Sequence, residues 1–256
     1  MRSESGLKTN LRKQLRAIGV LVWFDGVLPI RRSPFNLVNF IVSPLTILFF
    51  IYIFAGPGKA EFAIAGGLIA VIVGSCIILE TEAAFIRLVI KLQDMFVASP
   101  LSPFSFVVGI SISQLLNGLL GIVLFSVLIA LGSTLTLISA LEITAAAVLT
   151  FASISALGFM VSTFARDLRD LWVYSPLLNV LLSFLPPVFY PITLLPSSIR
   201  VVAYLAPTTY TAQVIQQAAG LVPSTTMEIG LNFLGGLAYT LILIFLAAKL
   251  SRWRQK

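Results

Sequence analysis

Six uninterrupted apolar stretches constrain this chain more than any other feature. They contain no charged residue apart from Lys249 near the end of the last one, and each is long enough, or nearly so, to cross a bilayer core of about 30 Å. The stretches cover residues 37–55, 62–79, 104–131, 143–164, 171–190 and 229–250. Together they make up about half of the 256 residues. The sequence therefore predicts an all-α membrane protein with six transmembrane helices.

The composition excludes several classes of protein. Only 11% of the residues are charged, whereas a soluble domain carries about a quarter, and the mean hydropathy is +1.02. A soluble fold, a nucleic-acid-binding domain and a secreted disulfide scaffold are thus excluded. The absence of histidine rules out Ser–His hydrolysis, histidine proton relays and histidine-ligated metals. The single cysteine, Cys76, lies in an apolar stretch, where a buried small hydrophobe is its predicted role.

The positions of the basic residues predict the topology, because cytoplasmic loops carry an excess of lysine and arginine. With both termini cytoplasmic, fifteen of the seventeen basic residues fall on the inner side, and Lys59 and Arg200 fall on the outer side. The net charge of +7 therefore reflects orientation in a plasma (inner) membrane. No nucleic-acid partner is predicted.

Residues 1–36 are predicted to form a cytoplasmic amphipathic helix in the membrane interface, ahead of a transmembrane domain over residues 37–256. The apolar face of this helix carries Leu7, Leu11, Leu15, Ile18 and Val22, and basic residues occupy the rest, as is typical of interfacial helices. A basic tail that merely orients the first span is the alternative interpretation.

The stretch 186–223 is unusually rich in proline. Six of the thirteen prolines lie here, and each removes a backbone donor and interrupts a helix. The apolar pieces 197–205 and 208–221 are about 14 and 21 Å long at 1.5 Å per residue, too short to cross a membrane. They are predicted to form a re-entrant helical hairpin on the outer side, between the fifth and sixth spans. Irregular backbone at that depth must line a cavity or be buried in protein, so the hairpin is a candidate gate. The gate residues are Pro187, Tyr190, Pro191, Pro196, Pro207 and Tyr210.

Charged residues at the predicted cytoplasmic ends of the spans form a second group of candidates, namely Glu80, Glu82, Arg166 and Asp167. Acids at membrane depth can act as ion-coupling sites. Glu80 and Glu82 can instead pair with the nearby Arg87 at the interface, and this is the favoured interpretation.

The chain has no nucleotide-binding motif. The stretch FAGPGKA ends in the glycine and lysine of a P-loop, but the first glycine would fall on Ile53, and no serine or threonine follows the lysine. The residues also supply no paired catalytic carboxylates, metal cluster or nucleophile with its base. The chain is therefore predicted not to be an enzyme, and its energy must come from an ion gradient or from a partner.

Several motifs resemble those of the permease subunits of ABC type-2 exporters. The loop VASPLSPFSFVVG, residues 97–109, is similar to the family's segment before the third span. The stretch 165–210 resembles the family's succession of Arg-Asp, an aromatic residue with proline, Leu-Pro and Asn-Pro-x-x-Tyr. These places are taken by Arg166 with Asp167, Tyr190 with Pro191, Leu195 with Pro196, and residues 207–210. Ala206 stands where asparagine is usual, and Gln216 or Gln217 replaces an arginine.

The resemblance implies a transmembrane permease subunit of an ATP-driven ABC exporter, which moves an amphipathic drug, lipid or lipid-linked glycan. It implies as partners an ABC ATPase (nucleotide-binding) subunit, a second permease copy in a homodimer, and the lipid bilayer. No cofactor would bind this chain directly, because ATP and Mg²⁺ bind the ATPase.

The resemblance also makes the loop 86–103 the contact for the ATPase. This segment is amphipathic and is ended by prolines, which would fix a rigid turn into the third span. The coupling residues are predicted to be Arg87, Lys91, Gln93, Asp94, Met95, Phe96, Ser99 and Pro100. An ordinary interfacial loop is the alternative interpretation.

An ion-coupled secondary transporter or channel without an ATPase partner is the alternative function. It needs an ion site at the membrane midplane, commonly built from acids on broken helices. All ten acidic residues lie at span ends or in loops, which favours the exporter. A structural membrane scaffold is a third interpretation, but it leaves the proline-rich hairpin unexplained.

Overall fold

The computed structural model describes residues 2–90 and 102–250, and within these ranges the chain consists of helices and turns without a β-strand. The α-helices in these ranges are α1 (Arg2–Leu21), α2 (Leu28–Arg32), α3 (Asn36–Ala55), α4 (Pro57–Leu88), α5 (Pro103–Gly132), α6 (Leu137–Phe164), α7 (Leu168–Asn179), α8 (Ser197–Ala203), α9 (Pro207–Ala218) and α10 (Thr226–Leu250). π-Helical turns, Val22–Val27 and Val180–Phe184, follow α1 and α7, and a 3-10 turn, Ile192–Leu194, precedes α8. The prediction of an all-helical protein is confirmed.

Local sequence sets several helix boundaries. Proline occupies the first position of α4, α5 and α9, where its missing N–H and fixed φ suit a helix start. The Ser102 hydroxyl accepts a hydrogen bond from the Ser105 backbone N–H and caps the start of α5. Gly56 has a φ of +84° and lets the chain reverse between α3 and α4, in a conformation that other residues rarely adopt.

α4 is the central helix of the bundle. It packs against α3, α5, α6, α7 and α9. Of its apolar segment 78% is buried, against 28% for α6 and 17% for α10. A helix that is apolar on every face suits such a position. Cys76 lies on α4 and is fully buried, in agreement with its predicted role.

Glycines on α4 allow its neighbours to approach closely. The ring of Phe125, from α5, lies so near Gly67 that its carbon atoms would be 2.2 to 2.6 Å from an added Cβ. Phe125 is itself fully buried, so a shift of its ring would disturb other core side chains. The contact between α4 and α5 therefore depends on the absence of a side chain at Gly67.

Three helices are long and apolar enough to cross a membrane, over Gly58–Leu88, Leu137–Phe164 and Thr226–Leu250. The number rises to four if the two parts of α5, Phe104–Asn117 and Leu119–Gly132, form one span that is bent by 61°. The bend falls at Gly118, and glycine is a common site of sharp helix kinks.

The other two predicted spans are shorter in the structure. The apolar part of α3 covers Ile41–Phe54, and the π-helical turn after α7 ends at Phe184, just before Pro186 and Pro187. The helix does not continue through Pro186 and Pro187, which both lack an N–H, so the apolar stretch 171–190 is not one helix. Within the described ranges the chain thus has three or four candidate spans, and the prediction of six is not confirmed.

The C-terminal ends of α4 and α6 are adjacent. Arg87, in the last turn of α4, donates hydrogen bonds to the carbonyl groups of Ser162, Thr163 and Ala165, where α6 ends. α4 and α6 therefore run in the same direction. Arg166 follows directly after this contact.

α1 and α10 bring further basic residues to the same place, beside the start of α5. The start of α5 packs beside the end of α4, since Phe106 and Ile86 belong to one cluster of buried side chains. Ser102, at this start, lines a groove together with Ala248 from the end of α10. The Ser102 backbone N–H also donates to Gln14 of α1 at 3.0 Å. We call this end of the bundle, marked by Arg87, Arg166 and Lys249, the basic end.

Replacing Gly67 by alanine is expected to lower the free energy of unfolding by about 1–3 kcal/mol, because a Cβ would overpack the contact with the buried Phe125 ring. Gly58→Ala on the same helix is the matched control, since nothing lies within 4 Å of its Cβ position. The thermal unfolding midpoint in detergent measures both. Equal midpoints for the two variants would contradict the packing described.

Candidate functional site

The proline-rich segment, residues 186–196, is an irregular connection between α7 and α8. Pro186 and Pro187 have no N–H to donate, and the Val188 N–H turns back to the Pro186 carbonyl at 2.7 Å. Val188 is fully buried and Phe189 nearly so. Irregular backbone that is buried in this way needs donors for its carbonyl groups from elsewhere in the protein.

Gln216 of α9 supplies those donors. Its side-chain Nε2 lies 3.0 Å from the carbonyl oxygen of Pro187, 3.2 Å from that of Val188 and 3.3 Å from that of Tyr190. Gln216 is 2% exposed, so water does not compete for these contacts. One amide thus attaches the proline-rich segment to α9. The neighbouring Gln217 has a different role, since its Oε1 accepts a hydrogen bond from Asn232 of α10 at 3.2 Å.

α4 contacts the same segment on its other side. A Cβ added at Gly66 would lie 2.6 Å from the Val188 carbonyl oxygen and 2.7 Å from a ring carbon of Phe189. The first of these atoms belongs to backbone that Gln216 already holds. The proline-rich segment is therefore fixed between α4 and α9, and a glycine is needed at position 66.

α8 and α9 form a compact pair of short helices after this segment. The Arg200 guanidinium on α8 donates to the carbonyl groups of Leu195, at 2.8 Å, and Thr193, at 2.9 Å. The Thr209 hydroxyl donates to the Ala203 carbonyl. α9 is buried almost throughout and packs against α4, α6 and α10.

The predicted gate residues occupy three different surroundings. Pro187 and Tyr190 meet at the Gln216 amide. Pro191 and Pro196 precede the 3-10 turn and α8. Pro207 begins α9. The Tyr210 ring lies against Gly235 of α10. It also lies between two other rings, with centroid distances of 5.3 Å to Tyr204 and 6.2 Å to Tyr239. The structure therefore does not bring the six residues into one cluster.

The charged residues at the basic end are not paired as expected. Arg87 caps the end of α6 through the three carbonyl groups named above, whereas Glu80 accepts a hydrogen bond from the Ser175 hydroxyl of α7. Glu80 is fully buried, and its second carboxyl oxygen, Oε2, has no hydrogen-bond partner. The expected pairing of these acids with Arg87 does not occur, because the nearest acceptors for Arg87 are carbonyl groups at a helix C-terminus.

Glu82 joins a second acid that the sequence analysis missed. Its carboxyl group is hydrogen-bonded to that of Asp25, in the π-helical turn after α1, which requires a proton on one of the two. Gln114 of α5 donates to Asp25 Oδ2 at 3.2 Å, and Asn117 donates to Gln114 at 3.1 Å. Burial and the neighbouring Glu82 carboxyl raise the pKa of Asp25 to about 7.

Arg166 and Asp167 lie at the start of α7. Their backbone N–H groups donate to the Asp170 carboxylate at 3.1 and 3.2 Å, and both residues are exposed. Of the predicted coupling residues, Arg87 alone falls within the described ranges. Lys91, Gln93, Asp94, Met95, Phe96, Ser99 and Pro100 lie outside the described residues.

A family model described as ABC-2 type transporter matches residues 16–220. The chain belongs to the ABC-2 type transporter family. The match runs from α1 to the end of α9 and includes both the proline-rich segment and the basic end. A search of curated proteins finds no match.

Membership of the ABC-2 family identifies the chain as a multi-pass membrane protein and a permease, the transport subunit of an ABC transporter. Such a membrane domain is generally not catalytic, and the family typically works with an ABC ATPase.

Two sequence signals could have identified the residues that were missed. Asp25 is an acid between apolar neighbours, in WFDGV, and Gln114 is a polar residue in an apolar stretch. Gln216 was noted only as a replacement for arginine. Its long side chain still reaches backbone carbonyl groups, as an arginine side chain could.

Replacing Gln216 by methionine, which has a similar shape, is expected to lower the free energy of unfolding by about 1–3 kcal/mol, because buried carbonyl groups lose their donor. Gln217→Met is the matched control and removes only the contact with Asn232. Thermal unfolding in detergent compares the two. If both variants unfold at the same temperature, Gln216 does not hold the proline-rich segment.

Protonation of Asp25 is expected to make stability depend on pH. Between about 4 and about 7 the folded state binds a proton that the unfolded state does not, so stability falls as the pH rises through this window. Asp25→Asn should reduce the difference between the unfolding midpoints at pH 5 and pH 8. The exposed Glu61→Gln should retain the wild-type difference, and an unchanged difference in Asp25→Asn would refute this prediction.

Proposed function

We propose that the chain is the transmembrane permease subunit of an ATP-driven ABC exporter, in which α4 carries displacement from an ATPase at the basic end to the proline-rich segment. One observation carries this proposal. α4 contacts the end of α6 through Arg87 in its last turn, and it contacts Val188 of the proline-rich segment through Gly66 in its first half. These positions are 21 residues apart, about 32 Å along a helix. A rigid helix of that length spans the membrane.

The basic end is the cytoplasmic end in this proposal. Arg87, Arg166 and Lys249 gather there, and cytoplasmic loops are rich in such residues. Both termini are then cytoplasmic, residues 1–36 lie in the inner interface of the plasma membrane, and residues 37–256 form the transmembrane domain. α3 and α7, although short, complete six crossings when the adjoining turns are included.

The proline-rich segment with α8 and α9 is proposed to be a re-entrant gate on the outer side. It lies at the end of α4 that carries Lys59, away from the basic end. Because the segment is held by the Gln216 amide and by contact with Gly66, a small shift of α4 relative to α9 would release it. Pro187 and Tyr190 are the gate residues closest to this point.

The exporter is proposed to work as a homodimer with an ABC ATPase that binds ATP and Mg²⁺. The loop 86–103 joins the central helix α4 to α5, so a push on Phe96 would move both. Exposed apolar side chains on α3 and α7, among them Phe50 and Trp172, are available to the second copy. The substrate is proposed to be amphipathic, a drug, a lipid or a lipid-linked glycan.

The ion-coupled transporter remains the second candidate because of one observation. Glu80 is a fully buried acid with an unpartnered oxygen, which is the kind of group that can bind a cation or a proton in a membrane. Dependence on an ATPase separates the two functions.

The test is co-purification of an ABC ATPase with the tagged permease from its own cells, followed by ATP hydrolysis in proteoliposomes. The double variant Phe96→Ala with Asp94→Ala is expected to lose ATPase binding, because it removes an apolar anchor and a charge from the loop 86–103. The matched control is Leu137→Ala with Glu142→Ala at the other end of the bundle, which should retain it.

Two results would contradict the proposal. If the double variant recovers as much ATPase as the wild-type chain, the loop 86–103 is not the coupling contact. If no ATPase accompanies the wild-type chain, and transport persists without ATP, the ion-coupled alternative is correct.

A further inference from the structure

The π-helical turn Val22–Val27 packs closely against α5. A Cβ added at Gly109 of α5 would lie 2.8 Å from a methyl carbon of Leu21, the residue just before the turn. A Cβ added at Gly26, which is buried in the turn, would lie 3.1 Å from the Cα atom of Ser113. These contacts depend on shape and not on charge, so they attach the turn to α5 independently of pH. Single π-helical turns are rare and occur frequently at functional sites.

Asp25 connects the same turn to α4. Its carboxyl group is hydrogen-bonded to that of Glu82 on α4, and we call these two residues the acid pair. Two carboxyl groups can share a hydrogen bond only when one of them carries a proton. When both are ionised, the like charges repel each other. The contact between the turn and α4 through the acid pair therefore belongs to one protonation state.

The Gln114 amide of α5 determines which of the two contacts of Asp25 survives the loss of the proton. It donates to Asp25 Oδ2 at 3.2 Å. A hydrogen bond to an ionised acceptor is stronger than one to a neutral acceptor. Deprotonation therefore strengthens the contact of Asp25 with α5, while it replaces the hydrogen bond to Glu82 by repulsion.

The other elements that pack against the turn do not supply a balancing charge. α5 contains no titratable side chain. The basic side chains that the structure describes on α1 and α2 are exposed, namely Arg12, Lys13, Arg16, Arg31 and Arg32. Burial and the Glu82 carboxyl raise the pKa of Asp25 to about 7. The proton is therefore present below about pH 7 and is lost as the pH rises through this value.

Charged groups of α4 and α7 at this end of the bundle are engaged elsewhere or exposed. Arg87 donates to the carbonyl groups at the end of α6, and Glu80 accepts from the Ser175 hydroxyl. On α7, Asp170 accepts from backbone N–H groups, and Arg169 is exposed. Glu82 is thus placed to respond to the charge of Asp25.

We propose that the acid pair is a proton-dependent latch, a contact between the turn Val22–Val27 and α4 that is closed when the pair carries one proton and open when both carboxyl groups are ionised. In the closed state the turn is attached to α4 and to α5. In the open state Asp25 stays with Gln114, and the turn moves away from Glu82. The latch goes beyond the proposed function, because it requires neither an ATPase nor a transported substrate.

The test measures distances between two spin labels in the folded protein by pulsed electron paramagnetic resonance, at pH 5 and at pH 8. The labels are attached to Phe24→Cys in the turn and Phe85→Cys on α4, where the native side chains are 65% and 37% exposed. This distance is expected to be longer at pH 8 by about 1–2 Å, the size of a small helix shift. The matched pair of Phe24→Cys with Phe104→Cys, in the first turn of α5, should keep its distance.

Variants assign the change to the acid pair. In Asp25→Asn the new amide can donate to the Glu82 carboxylate at either pH, so the Phe24–Phe85 distance should no longer depend on pH. Glu80→Gln is the matched control. It removes another buried acid of the same helix, which faces Ser175 rather than Asp25, and should retain the change. If Asp25→Asn fails to fold, Glu82→Gln makes the same test, because its amide can donate to the Asp25 carboxylate.

Three results would overturn the proposal. A Phe24–Phe85 distance that is the same at pH 5 and pH 8 would mean that the protonation of the pair does not move the turn. A change that persists in Asp25→Asn would mean that another group causes it. Equal lengthening of both label pairs would mean that the turn leaves α5 as well, so that the acid pair does not control the contact with α4 specifically.

Discussion

The structure depends on side chains that donate hydrogen bonds to backbone carbonyl groups, where no helical N–H is available as the donor. The Gln216 amide serves three carbonyl groups of the proline-rich segment, and the Arg87 guanidinium serves three at the end of α6. Around Gln216, which is 2% exposed, water is not available to replace the donor. These two residues make it possible for the chain to leave regular helix at both ends of the bundle without leaving these backbone carbonyl groups unpaired.

α4 contacts both of these arrangements. It carries Arg87 itself, and through Gly66 it touches the backbone that Gln216 holds. Because packed interiors behave as solids rather than liquids, a displacement of α4 cannot be absorbed within its own surroundings. It has to appear at the helices that contact it. The Asp25–Glu82 contact adds a further connection, from the turn after α1 to the same central helix.

Much of the architecture could be predicted from composition and periodicity, but the contacts could not. The apolar stretches predict helices, and the prolines from Pro186 onward predict short ones, because these are local properties. The pairing of Glu82 with Asp25, and of Glu80 with Ser175, joins positions that are far apart in the sequence, so local patterns carry no sign of it. The sequence analysis predicts a span over residues 171–190, whereas α7 ends at Asn179, because hydropathy does not show where an apolar chain leaves the helix.

Cys76 gives this protein a practical property. Its thiol, on the central helix α4, is fully buried, and no other cysteine occurs in the chain. Water-soluble maleimides will therefore report only on cysteines that are introduced elsewhere. Spin labels and fluorophores can therefore be attached to single introduced cysteines without first replacing Cys76, so the packing of α4 against α6 around this residue stays unchanged.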